Sequence, residues 1–129
     1  MFNLGNAYRE LRQFTQATTF YQQRLEIEQQ IGDRYSSAST YHELGRVAQN
    51  LRKFEEARRN YQQTLAIDIE FSDRYSQART YHALGTLAEA EENYAEARVN
   101  LQTALEIYVE YKDEYWGAIA REALERLPE

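Results

Sequence analysis

Apolar residues recur along this chain at the three-and-four spacing of a single helical face. Leu4, Ala7, Tyr8 and Leu11 open the series, and Ala17, Tyr21, Leu25 and Ile31, with Glu28 on the same stripe, continue it after Phe14. Ala38, Tyr41, Leu44, Gly45, Ala48 and Leu51 then mark one face, and Phe54, Ala57, Tyr61 and Leu65 the next. This spacing predicts seven helices, over residues 1–11, 14–31, 34–51, 54–71, 74–91, 94–111 and 114–127. Links this short force consecutive helices to lie antiparallel.

The pattern is periodic on a longer scale. Residues 33–72 and 73–112 align without a gap and agree at 19 of 40 positions, the signature of a stacked repeat. One period earlier, "NLGNAY" lies where "ELGRVA" and "ALGTLA" stand later, so Met1 matches Tyr41 and Tyr81. The expected organisation is one array: an N-terminally truncated repeat over 1–32, full repeats over 33–72 and 73–112, and a capping helix over 113–129. The first repeat belongs either to a longer array or to a bare edge. Asp33, Asp73 and Asp113 recur where a helix must start and can accept its free N–H groups. Gly32 can end the helix before Asp33 in the left-handed conformation, whereas Ser72 and Lys112 stand at the equivalent places. Gly5, Gly45 and Gly85 fall in mid-helix, where glycine costs about 1 kcal/mol relative to alanine, which points to close helix contact opposite Ala17, Ala57 and Ala97. Pro128 ends the last helix, in which Trp116 and Ile119 replace the Ser and Arg of earlier repeats.

The string T-Y-H-x-L-G-x-x-A, followed by F/Y-x-x-A and a run to L-x-I, resembles the tetratricopeptide repeat. Tyr41, Leu44, Gly45, Ala48, Ala57 and Tyr61 carry it, and again Tyr81, Leu84, Gly85, Ala88, Ala97 and Leu101. The period is 40 residues, against about 34 in the common form. That longer form is similar to repeats of spindle-orientation adaptors, kinesin light chains and bacterial signalling proteins. The resemblance implies an all-α fold, a right-handed α-solenoid of antiparallel helix pairs, whose first helices line a concave groove that holds a partner peptide. Asn6 matches an Asn of the family's peptide clamp, but Arg46 and Thr86 depart from it.

Helical phase places a polar strip on the groove side of the first helices: Asn6, Arg9 and Glu10, then Ser39, His42, Arg46, Gln49 and Asn50, then Arg79, His82, Thr86 and Glu89. Arginines in such a strip supply paired donors to carboxylates, so the candidate ligand is a peptide carrying acidic groups or a free C-terminus. His42 and His82 lie one period apart and lack a third ligand for a metal. The eleven tyrosines fall mostly on packing stripes or, at Tyr35, Tyr75 and Tyr115, beside the caps where repeats join.

Charge and composition narrow the classes further. A net charge of −6 speaks against a phosphate backbone as partner. The absence of cysteine removes disulfides, thiolate metal sites and a cysteine nucleophile. No apolar run reaches membrane-spanning length or reads as a signal peptide, so a cytoplasmic location is expected. Phosphate loops, zinc-binding His-Glu helices and nucleophile elbows are all missing, so neither catalysis nor a cofactor is expected. The expected role is a non-catalytic interaction scaffold. A second expectation is self-association through apolar surface at the N-terminal edge.

Overall fold

The computed structural model describes the backbone of residues 4–128 and the side chains of residues 10–128. Six α-helices follow one another in this span: α1 Leu4–Ile31, α2 Arg34–Asn50, α3 Phe54–Glu70, α4 Arg74–Ala90, α5 Tyr94–Glu110 and α6 Glu114–Arg126. Contacts run from each helix to its neighbours along the chain, so the array is a solenoid of helix pairs.

Every turn between these helices is built the same way. The residue just before each following helix donates its N–H to a carbonyl five residues back: Asp33 to Glu28, Lys53 to Ala48, Asp73 to Asp68, Asn93 to Ala88 and Asp113 to Tyr108, all at 2.8–2.9 Å. That closure needs a left-handed residue just before it. Gly32 provides one at φ 73°, but Arg52, Ser72, Glu92 and Lys112 adopt it with φ between 55° and 62°. A side chain in this region costs about 1–2 kcal/mol, which helix packing must offset. Three aspartates then start the next helices as expected: Asp33 accepts from the Ser36 N–H, Asp73 from Ser76 and Asp113 from Trp116.

The first of the seven expected helices does not exist as a separate element. Leu11, Arg12 and Gln13 continue α1 without a break, although Leu51, Arg52 and Lys53 make a turn from nearly the same residues. Local sequence therefore does not decide the matter. A turn at Arg12 would incur the left-handed cost that Arg52 bears. Continuing the helix keeps its backbone hydrogen bonds at no such cost. Ile31, placed on the packing stripe by sequence, is 70% exposed at the end of α1.

The core is made of small residues that let helices approach closely. Ala48, Ala57, Tyr61 and Leu87 form one buried cluster with Leu84, and the residues forty further on, Ala88, Ala97, Leu101 and Leu127, form another with Leu124 packed against it. Identical places thus do identical work in successive layers. A third set differs in chemistry between layers. Ala104, Tyr108 and Ala120 are apolar companions of Ala78 and Ile107. One period earlier stand Thr64, Asp68 and Thr80, buried and joined by hydrogen bonds from Thr64 Oγ1 to the Ala38 carbonyl at 3.1 Å and from Thr80 Oγ1 to Asp68 Oδ2 at 2.9 Å. Thr40 donates likewise to Glu28 Oε1 at 2.8 Å.

Gly45 and Gly85 do mark close approach, but the opposing residue is not the expected alanine. A Cβ on Gly45 would lie 2.6 Å from the Tyr61 ring, and one on Gly85 would lie 2.7 Å from Leu101 Cγ and 3.0 Å from its Cδ2, with the Ala97 carbonyl at 3.4 Å. The alanine stands one turn away from the residue that fills the gap. The cap-adjacent tyrosines join repeats: Tyr35 Oη donates to Asp73 Oδ2 at 3.2 Å, and Tyr75 Oη donates to Asp113. That hydroxyl, and after it the Trp116 N–H, hold the Asp113 carboxyl below its ordinary value.

Candidate functional site: a groove across alternate helices

One groove of about 460 Å³ collects His42, Arg46 and Asn50 from α2 with Arg79, His82 and Thr86 from α4. Gln49 of the predicted strip lines it too, whereas Glu10, Ser39 and Glu89 do not; Asn6 and Arg9 lie outside the described side chains. Helical phase and the forty-residue period together put α2 and α4 side by side with the same face forward, which is why residues so far apart in sequence converge.

Arg46 reaches Glu43 at 3.6 Å one turn back, an exposed pair that contributes about 0.3–0.5 kcal/mol at most. Arg79 is exposed and has no ion pair or hydrogen bond among the described residues. Both guanidinium groups are therefore available to a ligand. Between them the His42 imidazole is buried, 7% exposed. Burial foremost, then the charges of Arg79 and Arg46, push it down to about 4. His82 is lowered in the same direction by burial and by Arg126. Both rings are neutral at pH 7, and the Nδ1 of each is buried without a hydrogen-bond partner. The Thr86 hydroxyl is committed as a donor to the Ala83 carbonyl at 3.0 Å.

Second helices and the last helix supply a floor that phase alone did not assign to the site. Tyr61 of α3 and Tyr108 of α5 are almost wholly buried yet line the groove, and burial raises both to about 12, so they stay protonated. The Tyr61 hydroxyl donates to Gln49 Oε1 at 2.9 Å, fixing the amide at the groove wall. Trp116 of α6 closes one end. Its signal in the sequence was the change from Ser36 and Ser76 at the same repeat position.

Among the described residues no three His, Cys, Asp or Glu side chains come together as metal ligands, and no helix is long and apolar enough to cross a membrane. What the groove offers is two exposed cations, two amides and aromatic surface.

No curated protein matches the chain in sequence. The family model described as tetratricopeptide repeat matches residues 1–70 and, in a second register, residues 36–110. With its helix pairs, shared turn geometry and period-related cores, the chain belongs to the tetratricopeptide repeat family.

Proposed function

We propose that this chain is a non-catalytic protein-interaction module that captures an acidic segment of a partner protein or peptide along the α2–α4 groove. Tetratricopeptide repeats generally mediate protein–protein contacts. The observation that carries the finer reading is the pair Arg46 and Arg79, two exposed and weakly engaged cations opening on one groove in a protein of net charge −6. A carboxylate placed there gains charge-assisted hydrogen bonds without displacing a strong internal partner. The cysteine-free composition is compatible with a cytoplasmic working location, which this reading adopts.

Selection from a displayed random peptide library tests the proposal, with the Arg46→Glu/Arg79→Glu double variant as counter-target and circular dichroism as the folding control. Enrichment of Asp- and Glu-bearing peptides that the double variant fails to retain is the expected result. Capture without acidic bias, or equal capture by the charge-reversed protein, overturns it.

A second reading rests on α1. Phe20, Ile27 and Ile31 are 56–70% exposed and fall on one stripe, with Arg24 beside them. Self-association through that stripe is the alternative role. Light scattering across a concentration series separates the two, since a concentration-independent monomer leaves only the groove.

A further inference from the structure

A repeat array carries its own template: what one layer does with a side chain shows what the same place in another layer can hold. Arg58 of α3 has a side chain only 18% exposed, and its guanidinium donates to Glu91 at the end of α4 and pairs at 3.4 Å with Glu96 in the first turn of α5. One period earlier the corresponding residue is Thr18. Its side chain is short, and its hydroxyl is committed within α1 to the Phe14 carbonyl at 2.9 Å. Beside Thr18 a crevice of about 260 Å³ opens between α1, α2 and α3. Its walls come from residues between 18 and 60, all inside the array, and none of them lines the α2–α4 groove.

The crevice has the make-up of an arginine pocket. Leu25, Leu44 and Ala48 supply apolar walls, against which the methylene stem of a long cationic side chain can lie while its head stays at the polar edge. Glu56 borders the crevice from the first turn of α3 and is the counterpart of Glu96, the carboxylate that Arg58 meets one layer on. Among the described residues Glu56 has no ion pair. The planar fork of a guanidinium matches a carboxylate better than the point charge of an ammonium does. Two substitutions weaken the site relative to its template. Leu51 stands where Glu91 gave a second carboxylate, and Arg59, which also borders the crevice, stands where Val99 carries no charge. The intramolecular arginine is thus replaced by a place for one that comes from outside, held less tightly than Arg58 holds its own.

We propose that the crevice between α1 and α3 is a second docking site, which takes an arginine side chain of a partner protein in the place that Arg58 fills one layer on. The proposal is independent of the acidic-segment reading, because the two sites have no residue in common.

The test is an NMR titration of the full chain with Nα-acetyl-arginine amide, following the backbone amides of Thr18, Leu44 and Glu56, with the lysine and citrulline analogues as controls and circular dichroism on each variant. Saturable shifts at these amides are expected with the arginine compound, weaker ones with lysine, and none with the uncharged citrulline. Glu56→Gln should weaken binding about tenfold, the size of one lost charge-assisted hydrogen bond. Arg59→Val, which copies the next layer, should tighten it. Thr18→Arg should fill the crevice from within, abolish the shifts and raise the urea midpoint. The absence of saturable shifts in wild type overturns the proposal, as does binding that survives Thr18→Arg or is equal for citrulline. Binding lost in Arg59→Val but kept in Glu56→Gln would mark a site for anions and overturn it as well. None of these results bears on capture of acidic peptides by the α2–α4 groove, which the library selection reads separately.

Discussion

Replacing Gly45 with alanine would set a methyl carbon 2.6 Å from Tyr61 Cε1 and 2.7 Å from Cδ1. Carbon atoms in ordinary contact lie about 3.5–4.0 Å apart, so roughly 1 Å has to be found. The ring cannot readily yield it. Tyr61 is 1% exposed, its hydroxyl is tied to Gln49 at 2.9 Å, and it belongs to the cluster with Ala48, Ala57 and Leu87. Overpacking of this kind costs about 1–3 kcal/mol. Against it stands the gain from alanine in a helix interior, about 1 kcal/mol. The expected net loss for Gly45→Ala is about 1 kcal/mol, read from urea denaturation as a lower midpoint at unchanged slope. The decisive measurement is the same substitution in a Tyr61→Ala background. With the ring gone only the helix gain remains, so the sign should invert and Gly45→Ala should stabilise by about 1 kcal/mol. The coupling of about 2 kcal/mol lies well above the few tenths expected of independent sites. If Gly45→Ala destabilises equally in both backgrounds, the assignment of Tyr61 as the opposing surface is wrong.

Three further outcomes follow from the same structure. Ser72→Gly and Lys112→Gly relieve residues held at φ 55° and 58° and should each raise stability by about 0.5–1 kcal/mol, whereas Gly32→Ala, with nothing within 4 Å of its Cβ, should lower it through backbone strain alone; thermal melts decide. Exchanging the buried Thr80–Asp68 pair for the apolar residues of the next layer, as Asp68→Tyr/Thr80→Ala, removes a carboxyl that burial raises above its ordinary value and should stabilise by about 1–3 kcal/mol at pH 7; a lower urea midpoint contradicts this. His42, lowered from 6.5 to about 4 mainly by burial, binds its proton more weakly folded than unfolded, so its contribution is complete above pH 6.5 and is lost as pH falls toward 4. At 1.36 kcal/mol per pH unit the loss is on the order of 3 kcal/mol, to be read as the stability difference between wild type and His42→Gln across that window; a flat difference refutes it.

Helix phase, cap positions and the forty-residue period were all legible in the sequence, because each depends on residues acting within one turn or one repeat. Asp33, Asp73 and Asp113 cap as their type requires. His42 and His82 share a groove because phase and period fix both angle and height. Features set by packing between elements were not legible. The stretch at Arg12 differs little from that at Arg52, yet the first continues a helix and the second makes a turn. The partner of Gly45 depends on how far α3 slides along α2, a displacement of one turn that leaves every apolar stripe intact. Trp116 joins the groove because α6 occupies the next layer, a consequence of stacking that phase within α2 and α4 does not contain.

Comparison of the two full repeats separates what the fold requires from what it leaves free. Tyr35, Thr40, His42, Leu44, Gly45, Ala48 and Ala57 all have identical counterparts forty residues on, and most of these touch a neighbouring layer. A change at such a place must suit two partners at once, so duplication holds it constant. Arg46 becomes Thr86, Glu43 becomes Ala83, Asn50 becomes Ala90 and Ser76 becomes Trp116, and of these eight all but Ala90 and Ser76 line the groove. Two identical layers would present the same chemistry twice and could fix neither the register nor the direction of an extended ligand. Divergence within the groove gives successive layers different chemistry there, and in the proposed role such polarity would hold one peptide in one orientation.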